Sequence, residues 1–454
     1  MPSSKTPSAA RFARIRKVAE SAPTQNKSLG LPVDSLANSL VLSAQIIAAV
    51  RAGKSLTEAL IPLAKEPSVA HAAAQDIAYG VLRRYAWGEF ILGQLLSKAL
   101  SHLPTHALLL AALYRLETRP DAAHTVVDQA VLASSELAGG VFKGLVNGVL
   151  RSYLRQRDAL LVKLKSNDEA QYQHPAWWLA RLRRAYPSQT EQAEDWQTIV
   201  ATGNAHPPMS LRVNQRRTTQ TDYLERLKSV GLLAQAHGAQ GLKLASPVPV
   251  SVLPGFAEGL VSVQDIGAQM AAEWLAPKIG ARVLDACAAP GGKTAHLLEQ
   301  SDIDLLALDI DPMRVHRIGQ NLNRLGLCAQ VKTADCRATD TWWDGNHFDA
   351  ILADVPCSAS GVVRRHPDIK YLRRQSDIQN FVRIQADILD ALWPLLMPGG
   401  RLLYATCSVF PEENKAQIDA FLVRHSKVER LREVQLLPKA EHDGFYYALL
   451  GKEQ

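Results

Sequence analysis

Arg282-Val283-Leu284-Asp285-Ala286-Cys287-Ala288-Ala289-Pro290-Gly291-Gly292-Lys293-Thr294 runs a short apolar segment straight into small residues, two glycines and a Lys-Thr pair. A strand that meets glycines at the start of a helix lets a ligand approach backbone amides. Four more apolar segments of strand length follow: Leu305–Asp309, Ala329–Thr333, Phe348–Ala353 and Arg401–Ala405. Helical stretches separate them, so together with Arg282–Ala286 they predict a parallel α/β sheet. Ligands of such sheets bind outside the carboxyl ends of the strands. Asp285, Asp309, Asp335, Asp354, Cys357 and Cys407 all fall at those ends.

Three cofactor classes use a glycine turn of this kind, and spacing separates them. A dinucleotide fingerprint needs G-x-G-x-x-G, which is absent here. A phosphate-binding P-loop ends in Gly-Lys-Thr, as Gly292-Lys293-Thr294 does, but Cys287 stands where its first glycine belongs. Asp309 lies 18 residues beyond Gly291, where a carboxylate can accept from both hydroxyls of a ribose. Asp335 follows the third strand, at the level of an adenine. Acidic groups around a sugar and base suit a nucleoside without phosphates and oppose a triphosphate unless they hold magnesium. Lys293 and the helix N-terminus are donors for a carboxylate. S-adenosylmethionine therefore fits better than a nucleotide, with a P-loop ATPase as the rival.

The fourth strand runs into Asp354-Val355-Pro356-Cys357-Ser358, and the fifth into Thr406-Cys407-Ser408. If those strands are neighbours, about 5 Å apart, both thiols flank one pocket. A lone cysteine at a strand end is usually a small hydrophobe; two beside one cofactor loop, one of them near an acid, point to chemistry or to a reversible disulfide. Pyrimidine methylation needs such a pair. Carbon 5 of cytosine is a poor nucleophile until a thiolate adds at carbon 6. The ring then also needs a hydrogen-bonding group at N3 and the exocyclic amine, a role for Asp354, and a base or second thiol to finish the reaction.

Outward from this region, Pro175 to Gly259 reads as a small α+β module spanning 170–259. It has a helix carrying Trp177, Trp178, Arg181, Arg183 and Arg184, a strand at Met209–Asn214 and a helix at Thr221–Val230. Residues 34–165 read as all helix: Leu36, Leu40, Ser43, Ile47 and Val50 form a stripe, and Ser55 with Glu58 a capping box. Ser68–Leu100 predicts a helix broken near Gly93. His106–Leu116, Thr125–Leu137 and Val141–Tyr153 follow, the last carrying Lys143-Gly144-Leu145-Val146-Asn147-Gly148-Val149-Leu150-Arg151. That helix and the helix count resemble the NusB antitermination-factor family, which implies RNA binding.

The 454-residue chain has a net charge of +7, 47% hydrophobic and 21% charged residues, the balance of a globular protein with a polyanionic partner. Residues 1–33 form a basic leader predicted to be disordered. The five cysteines include no closely spaced pair, so no metal site is expected, and reduced thiols in a cytoplasmic, membrane-free setting are the expectation.

Asp-x-Pro-Cys-Ser-x-x-Gly from Asp354, Thr406-Cys407-Ser408 and Cys287 to Thr294 resemble the RNA 5-methylcytosine methyltransferases of the Sun (Fmu) and Nop group. Val355, where alanine is usual, is a mild departure. The resemblance implies three parts: a NusB-like all-α domain, the α+β module, and a Rossmann-like class I methyltransferase domain over 260–454. It implies S-adenosylmethionine-dependent methylation of carbon 5 of a cytosine in small-subunit (16S) ribosomal RNA; the base must leave its stack to reach the pocket, so unfolded or pre-assembly RNA is the expected substrate, and a monomer the expected state. It implies Cys407 as nucleophile and Cys357 as the aid to product release. Cofactor contacts are implied from Cys287, Ala288, Ala289, Pro290, Gly291, Gly292, Lys293, Asp309, Asp335 and Asp354. After the first thiol, Arg364, Arg365, Lys370, Arg373 and Arg374 set five bases against the single acid Asp368; Arg364, Arg365 and Lys370 are expected to grip RNA phosphates. Besides the ATPase, a non-catalytic RNA-binding assembly factor is the alternative.

Overall fold

The computed structural model describes residues 30–65, 68–188 and 195–453, so the leader expected over 1–33 lies, up to residue 29, outside the described residues. The chain divides into two compact units. One runs up to Leu179 and includes His366–Leu372; the other comprises Ala180–Arg365 and Arg373–Gln454.

The first unit is helical. Helix Leu36–Arg51 starts at Ser35, whose hydroxyl accepts from Asn38 N–H and so satisfies an orphan amide of the first turn. It is buried on nearly all sides rather than along one stripe, as befits a helix apolar all round. Ser55 and Glu58 form the expected capping box. Ser68–Arg83 and Tyr85–Leu95 are separate helices: the break expected near Gly93 falls at Arg84, and Gly93 lies within the second helix. A glycine in a helix is tolerated there because the flanking Ile91 and Leu92 pack into the core. Helices Leu103–Thr118, Ala123–Ala133 and Lys143–Leu164 complete the bundle around Leu40, Ile47, Leu109, Leu113, Val146 and Tyr153. The last is longer than Val141–Tyr153 because its second half has no breaker.

The second unit holds two sheets. In the smaller, β1 (Ser210–Val213), β2 (Ala234–His237), β3 (Gly241–Leu244) and β4 (Val261–Val263) are antiparallel in the order β2-β3-β1-β4. Helix Gln220–Ser229 packs Tyr223 and Leu227 against Leu211, Val213 and Leu242.

The larger sheet contains β5 (Arg282–Asp285), β6 (Asp304–Asp309), β7 (Gln330–Thr333), β8 (Phe348–Asp354) and β9 (Leu396–Thr406), all parallel. β10 (Val428–Leu436) and β11 (Phe445–Lys452) were not expected from sequence; β11 adds antiparallel to β9 and β10 antiparallel to β11, giving the order β10-β11-β9-β8-β5-β6-β7. Val283, Ala307 and Leu403 face one core, whereas Leu284, Leu308 and Tyr404 face the other. Burial on both faces explains the continuous apolar runs. The chain winds outward from β5 through β6 to β7 and then returns to β8 on the opposite side of β5. The crevice at the carboxyl ends of β5 and β8 is therefore the topological switch point.

Candidate active site

β5 delivers Asp285 to this crevice. Burial lifts its carboxyl to about 7, helped by the charges of Asp354 and Asp309 and opposed by a hydrogen bond from Thr294 and by Lys293. Thr294 Oγ1 donates to Oδ2 at 2.7 Å, while Oδ1 has no hydrogen-bond partner among the described residues. The following loop is held by Ala288 N–H on the Leu308 carbonyl (2.7 Å) and Gly291 N–H on the Ala288 carbonyl (2.7 Å). Gly291 caps the helix Gly292–Gln300 with φ of 94°, and a Cβ there would lie 3.2 Å from Ile318, so glycine is required.

Asp309, at the end of β6, accepts from Ala289 N–H and Asp311 N–H, each at 3.1 Å, and both loops are thereby tied to its carboxylate. Asp335 lies beyond β7, where the Arg337 guanidinium holds its carboxyl below the usual range. Cys287 contacts the thiol of Cys336, and that bond together with burial pushes its own thiol well up. An unsatisfied buried oxygen, a glycine loop at a helix N-terminus and a carboxylate beyond each strand are a donor and acceptor set that fits a nucleoside bearing an amino acid.

β8 and β9 are neighbours, and the register pairs Asp354 with Ala405. The two cysteine turns consequently lie side by side, with the Cys357 and Cys407 sulfurs 3.4 Å apart. The hydrogen bond to Cys407 and burial, with the Cys407 and Glu413 charges, raise the Cys357 thiol well above its ordinary value. Lys293 Nζ lies 2.6 Å from Asp354 Oδ2. Burial pulls the ammonium down, but Asp354, with Cys407 and Asp285, outweighs it and pushes Lys293 up. Sequence reasoning offered Lys293 to a cofactor carboxylate; here the ammonium joins the cofactor loop to the acid of the cysteine turn.

The expected phosphate grip is corrected. Arg364 is 2% exposed and pairs with Asp443. Arg365 pairs with Asp265 at 2.8 Å and also with Asp443. Lys370 is fully buried within the helical unit and donates to the Arg83 carbonyl at 3.3 Å. Arg364 and Lys370 are buried on internal partners and present no face to a polyanion, and Arg365, 26% exposed, is already paired with two carboxylates. Arg373 donates to the Ser358 carbonyl at 3.2 Å and lies over Phe381. Trp178 is buried, and Arg183 stacks over Trp196, so that helix uses its aromatic and basic residues for packing.

Sequence reasoning missed two groups. Glu413, Ser358, Ser360 and Ser408 form a buried network beneath the thiols. Arg212 of β1 is buried against Glu299 and Gly292 of the loop helix. The signal for Glu413 was the run Pro411-Glu412-Glu413-Asn414 directly after Cys407-Ser408-Val409-Phe410.

A parallel sheet with this winding, a glycine loop and an acid after each strand defines a Rossmann-like methyltransferase. The family model described as 16S rRNA methyltransferase RsmB/F matches residues 272–451, the RsmF/B-like ferredoxin-like domain matches 174–251, and the NusB family matches 38–155. Ribosomal RNA small subunit methyltransferase B of Vibrio cholerae serotype O1 is 45% identical over 84% of this chain and 90% of its own length. The same-named protein of Escherichia coli O7:K1 is 43% identical over 89% and 96%. A methyltransferase homologue from Pyrococcus horikoshii, solved by crystallography, is 26% identical with a TM-score of 0.52, covering 61% of this chain and 99% of that one. The chain belongs to the RsmB/F family of 16S rRNA methyltransferases. It is accordingly an S-adenosylmethionine-dependent rRNA methyltransferase, which sets aside both the ATPase and the non-catalytic assembly factor. Among the described residues no helix is long and apolar enough to cross a membrane.

Proposed function

We propose that this enzyme methylates carbon 5 of a cytosine in small-subunit ribosomal RNA through a covalent bond to Cys407. The observation that carries the reading is the pair of sulfurs 3.4 Å apart, at the ends of adjacent strands, beside the Lys293–Asp354 pair. Bound S-adenosylmethionine supplies an electrophilic methyl on a sulfonium. Asp285, Gly291, Lys293, Asp309 and Asp335 line the ends of β5, β6 and β7 and are the residues that would hold it.

The Cys407 thiolate forms a sulfur–carbon bond at C6 of the cytosine, the displaced electron pair moves into the C5–C4–N3 system, and N3 takes up the proton that the thiol has lost. Asp354 accepts from the protonated N3 and from the exocyclic amine, and Lys293 at 2.6 Å fixes its orientation. Carbon 5 takes the methyl, which leaves the cofactor's sulfur as a neutral thioether. The C5 proton then goes to a base, its electron pair expels the Cys407 thiolate from C6, and N3 gives its proton back. Cys357 aids that release, its raised thiol keeping a proton close to the departing Cys407 sulfur. The base must leave its stack to enter the crevice, so unfolded or pre-assembly RNA in the cytoplasm is the substrate.

Cys407→Ala should abolish transfer while S-adenosylmethionine still binds. Cys357→Ala should leave protein covalently attached to RNA, seen as a band that survives denaturing electrophoresis. If Cys407→Ala forms that band and Cys357→Ala does not, the two roles exchange. Bisulfite sequencing of ribosomal RNA from a deletion strain identifies the base; an unchanged cytosine pattern would reject the C5 assignment.

A further inference from the structure

The two cysteine turns share one buried anchor that the reaction scheme does not use. Glu413 has no solvent exposure. Its Oε1 accepts from Ser358 N–H at 2.8 Å and Gln385 Nε2 at 3.2 Å. Its Oε2 accepts from the Ser358 and Ser408 hydroxyls, each at 2.6 Å. Ser358 follows Cys357 and Ser408 follows Cys407, so one carboxylate grips the residue after each thiol. Neighbouring bonds stiffen the grip: Gln385 also donates to the Pro356 carbonyl at 3.0 Å, and Ser360 Oγ lies 3.0 Å from both Ser358 Oγ and Ser408 Oγ. Asn414 holds the other side, accepting from Thr406 Oγ1 at 2.6 Å and donating to the Ser408 carbonyl at 2.8 Å.

An amide in this place could not accept at both atoms, whereas a carboxylate takes all four bonds. Burial pushes the Glu413 carboxyl up, and the bonds from Ser358, Ser408 and Gln385 oppose that push in favour of the ionised form. Hydrogen bonds to a charged acceptor in a dry site are the strong ones. The charge is also asymmetric with respect to the thiols. Glu413 is the group whose charge bears on Cys357 besides Cys407 itself. Lys293, Tyr447 and Asp354 lie on the Cys407 side. On that side Lys293 is matched by Asp354 at 2.6 Å, whereas Glu413 has no ion-pair partner among the described residues, so the unmatched negative charge lies on the Cys357 side of the pair and polarises it.

We propose that Glu413 is the positioning residue that sets the division of labour between the thiols, holding both turns in register and keeping the pair's proton on Cys357. This rests on the covalent reading above. Cys357 thereby donates to the Cys407 sulfur across the 3.4 Å contact until the base arrives, and the nucleophile is selected before substrate binds. Glu413 touches no reacting atom and acts only through the serines and its field.

The test uses the full-length enzyme and iodoacetamide, with alkylation of each cysteine followed by peptide mass spectrometry from about pH 6 to about pH 10. In Glu413→Gln the alkylation midpoint of Cys357 should fall by about one pH unit or more, and the preference for Cys407 over Cys357 should drop about tenfold. Turnover should fall roughly 10- to 100-fold while KM for RNA and Kd for S-adenosylmethionine stay within about twofold. Glu413→Asp keeps the charge, so it should keep the alkylation order. A folded Glu413→Gln protein whose Cys357 midpoint does not move overturns the proposal. Should Glu413→Gln fail to fold, Ser408→Ala decides: slowed turnover with cofactor affinity kept supports the tether, and unchanged turnover overturns it. Alkylation involves no RNA, so a methyl group found at an atom other than C5 would sink the covalent reading and leave the thiol result intact.

Discussion

Replacing Arg212 with methionine removes a guanidinium that has no exposed surface and whose partner, Glu299, is 1% exposed. Arg212 Nε and Nη2 each donate to a different Glu299 oxygen at 2.8 Å, and Nη1 donates to the Gly292 carbonyl at 2.9 Å. Gly292 opens the loop helix and Glu299 lies near its end, so one side chain of the small sheet clasps the helix at both ends. The single variant strands a carboxylate in a dry site, which costs about 3–5 kcal/mol. At about 2–4 °C per kcal/mol for a domain of this size, the melting temperature should fall by roughly 10 °C. Arg212→Met combined with Glu299→Leu removes both charges and should return to within about 1–2 kcal/mol of the parent. The Gly292 bond is lost in both variants, so weakened S-adenosylmethionine binding should persist after stability recovers. Calorimetry with and without the cofactor reads both effects. A single variant within about 1 kcal/mol of the parent, or a double variant no better than the single, would refute the clasp.

Asp285→Asn should flatten a pH dependence. The folded carboxyl titrates at about 7 against 3.8 for the free group. Between those values the native state holds the extra proton, so stability falls as pH rises and the full penalty, about 4 kcal/mol, stands above neutrality. The asparagine variant keeps an acceptor for Thr294 and should lose that fall in a melting series; an unaltered slope would assign it to another group. Lys370→Met tests the corrected RNA contact. Burial, then the charge of Arg83, brings this ammonium down to about 7. A lowered lysine penalises the fold most below its folded value, so methionine should stabilise more at about pH 6 than at about pH 9. RNA affinity and its salt dependence should be unchanged, and a loss of affinity would restore Lys370 to the RNA surface. Gly291→Ala places a Cβ 3.2 Å from Ile318 at a positive φ, and should weaken cofactor binding and cost about 1–3 kcal/mol; a cofactor Kd equal to the parent's would show the loop to be more yielding.

Which features were legible follows from how far their causes reach along the chain. Four strands of the parallel sheet, β5, β6, β8 and β9, are largely buried and written as local apolar runs. The edge strand β7 is mostly exposed and was read from its place between helices; all five were read within a few residues of their ends. Adjacency of the two thiols was a conditional inference from strand order, and the β8–β9 register meets the condition. β10 escaped because it is an edge strand: Glu429, Arg430, Arg432 and Glu433 alternate with few apolar residues, a pattern that reads as solvated chain until β11 pairs with it. The capping box was local and was found. The helix break was misplaced because Gly93 is a weak breaker whose flanking residues are packed, while the turn at Arg84 has no residue signature at all.

The basic segment after Cys357 shows the same reach in reverse. Of five cations within eleven residues, Arg364, Arg365 and Lys370 were assigned to a polyanion because their partners are remote in sequence. Asp443 is 78 and 79 residues from Arg365 and Arg364, and Asp265 is 100 from Arg365. Charge density along a chain reports binding only when the opposing acids are absent from the fold, and no local count can establish that. The pairs also have a consequence for the site. Arg364 and Arg365 follow Gly361, whose N–H is held by the Cys407 carbonyl at 2.8 Å, so both ends of the loop that carries Cys357 are fixed. Glu413 grips its start and Asp443 its end. Arg364 and Arg365, taken for substrate contacts, therefore hold the Cys357 loop in place, and breaking the Asp443 pairs should loosen the thiol geometry before it touches RNA affinity.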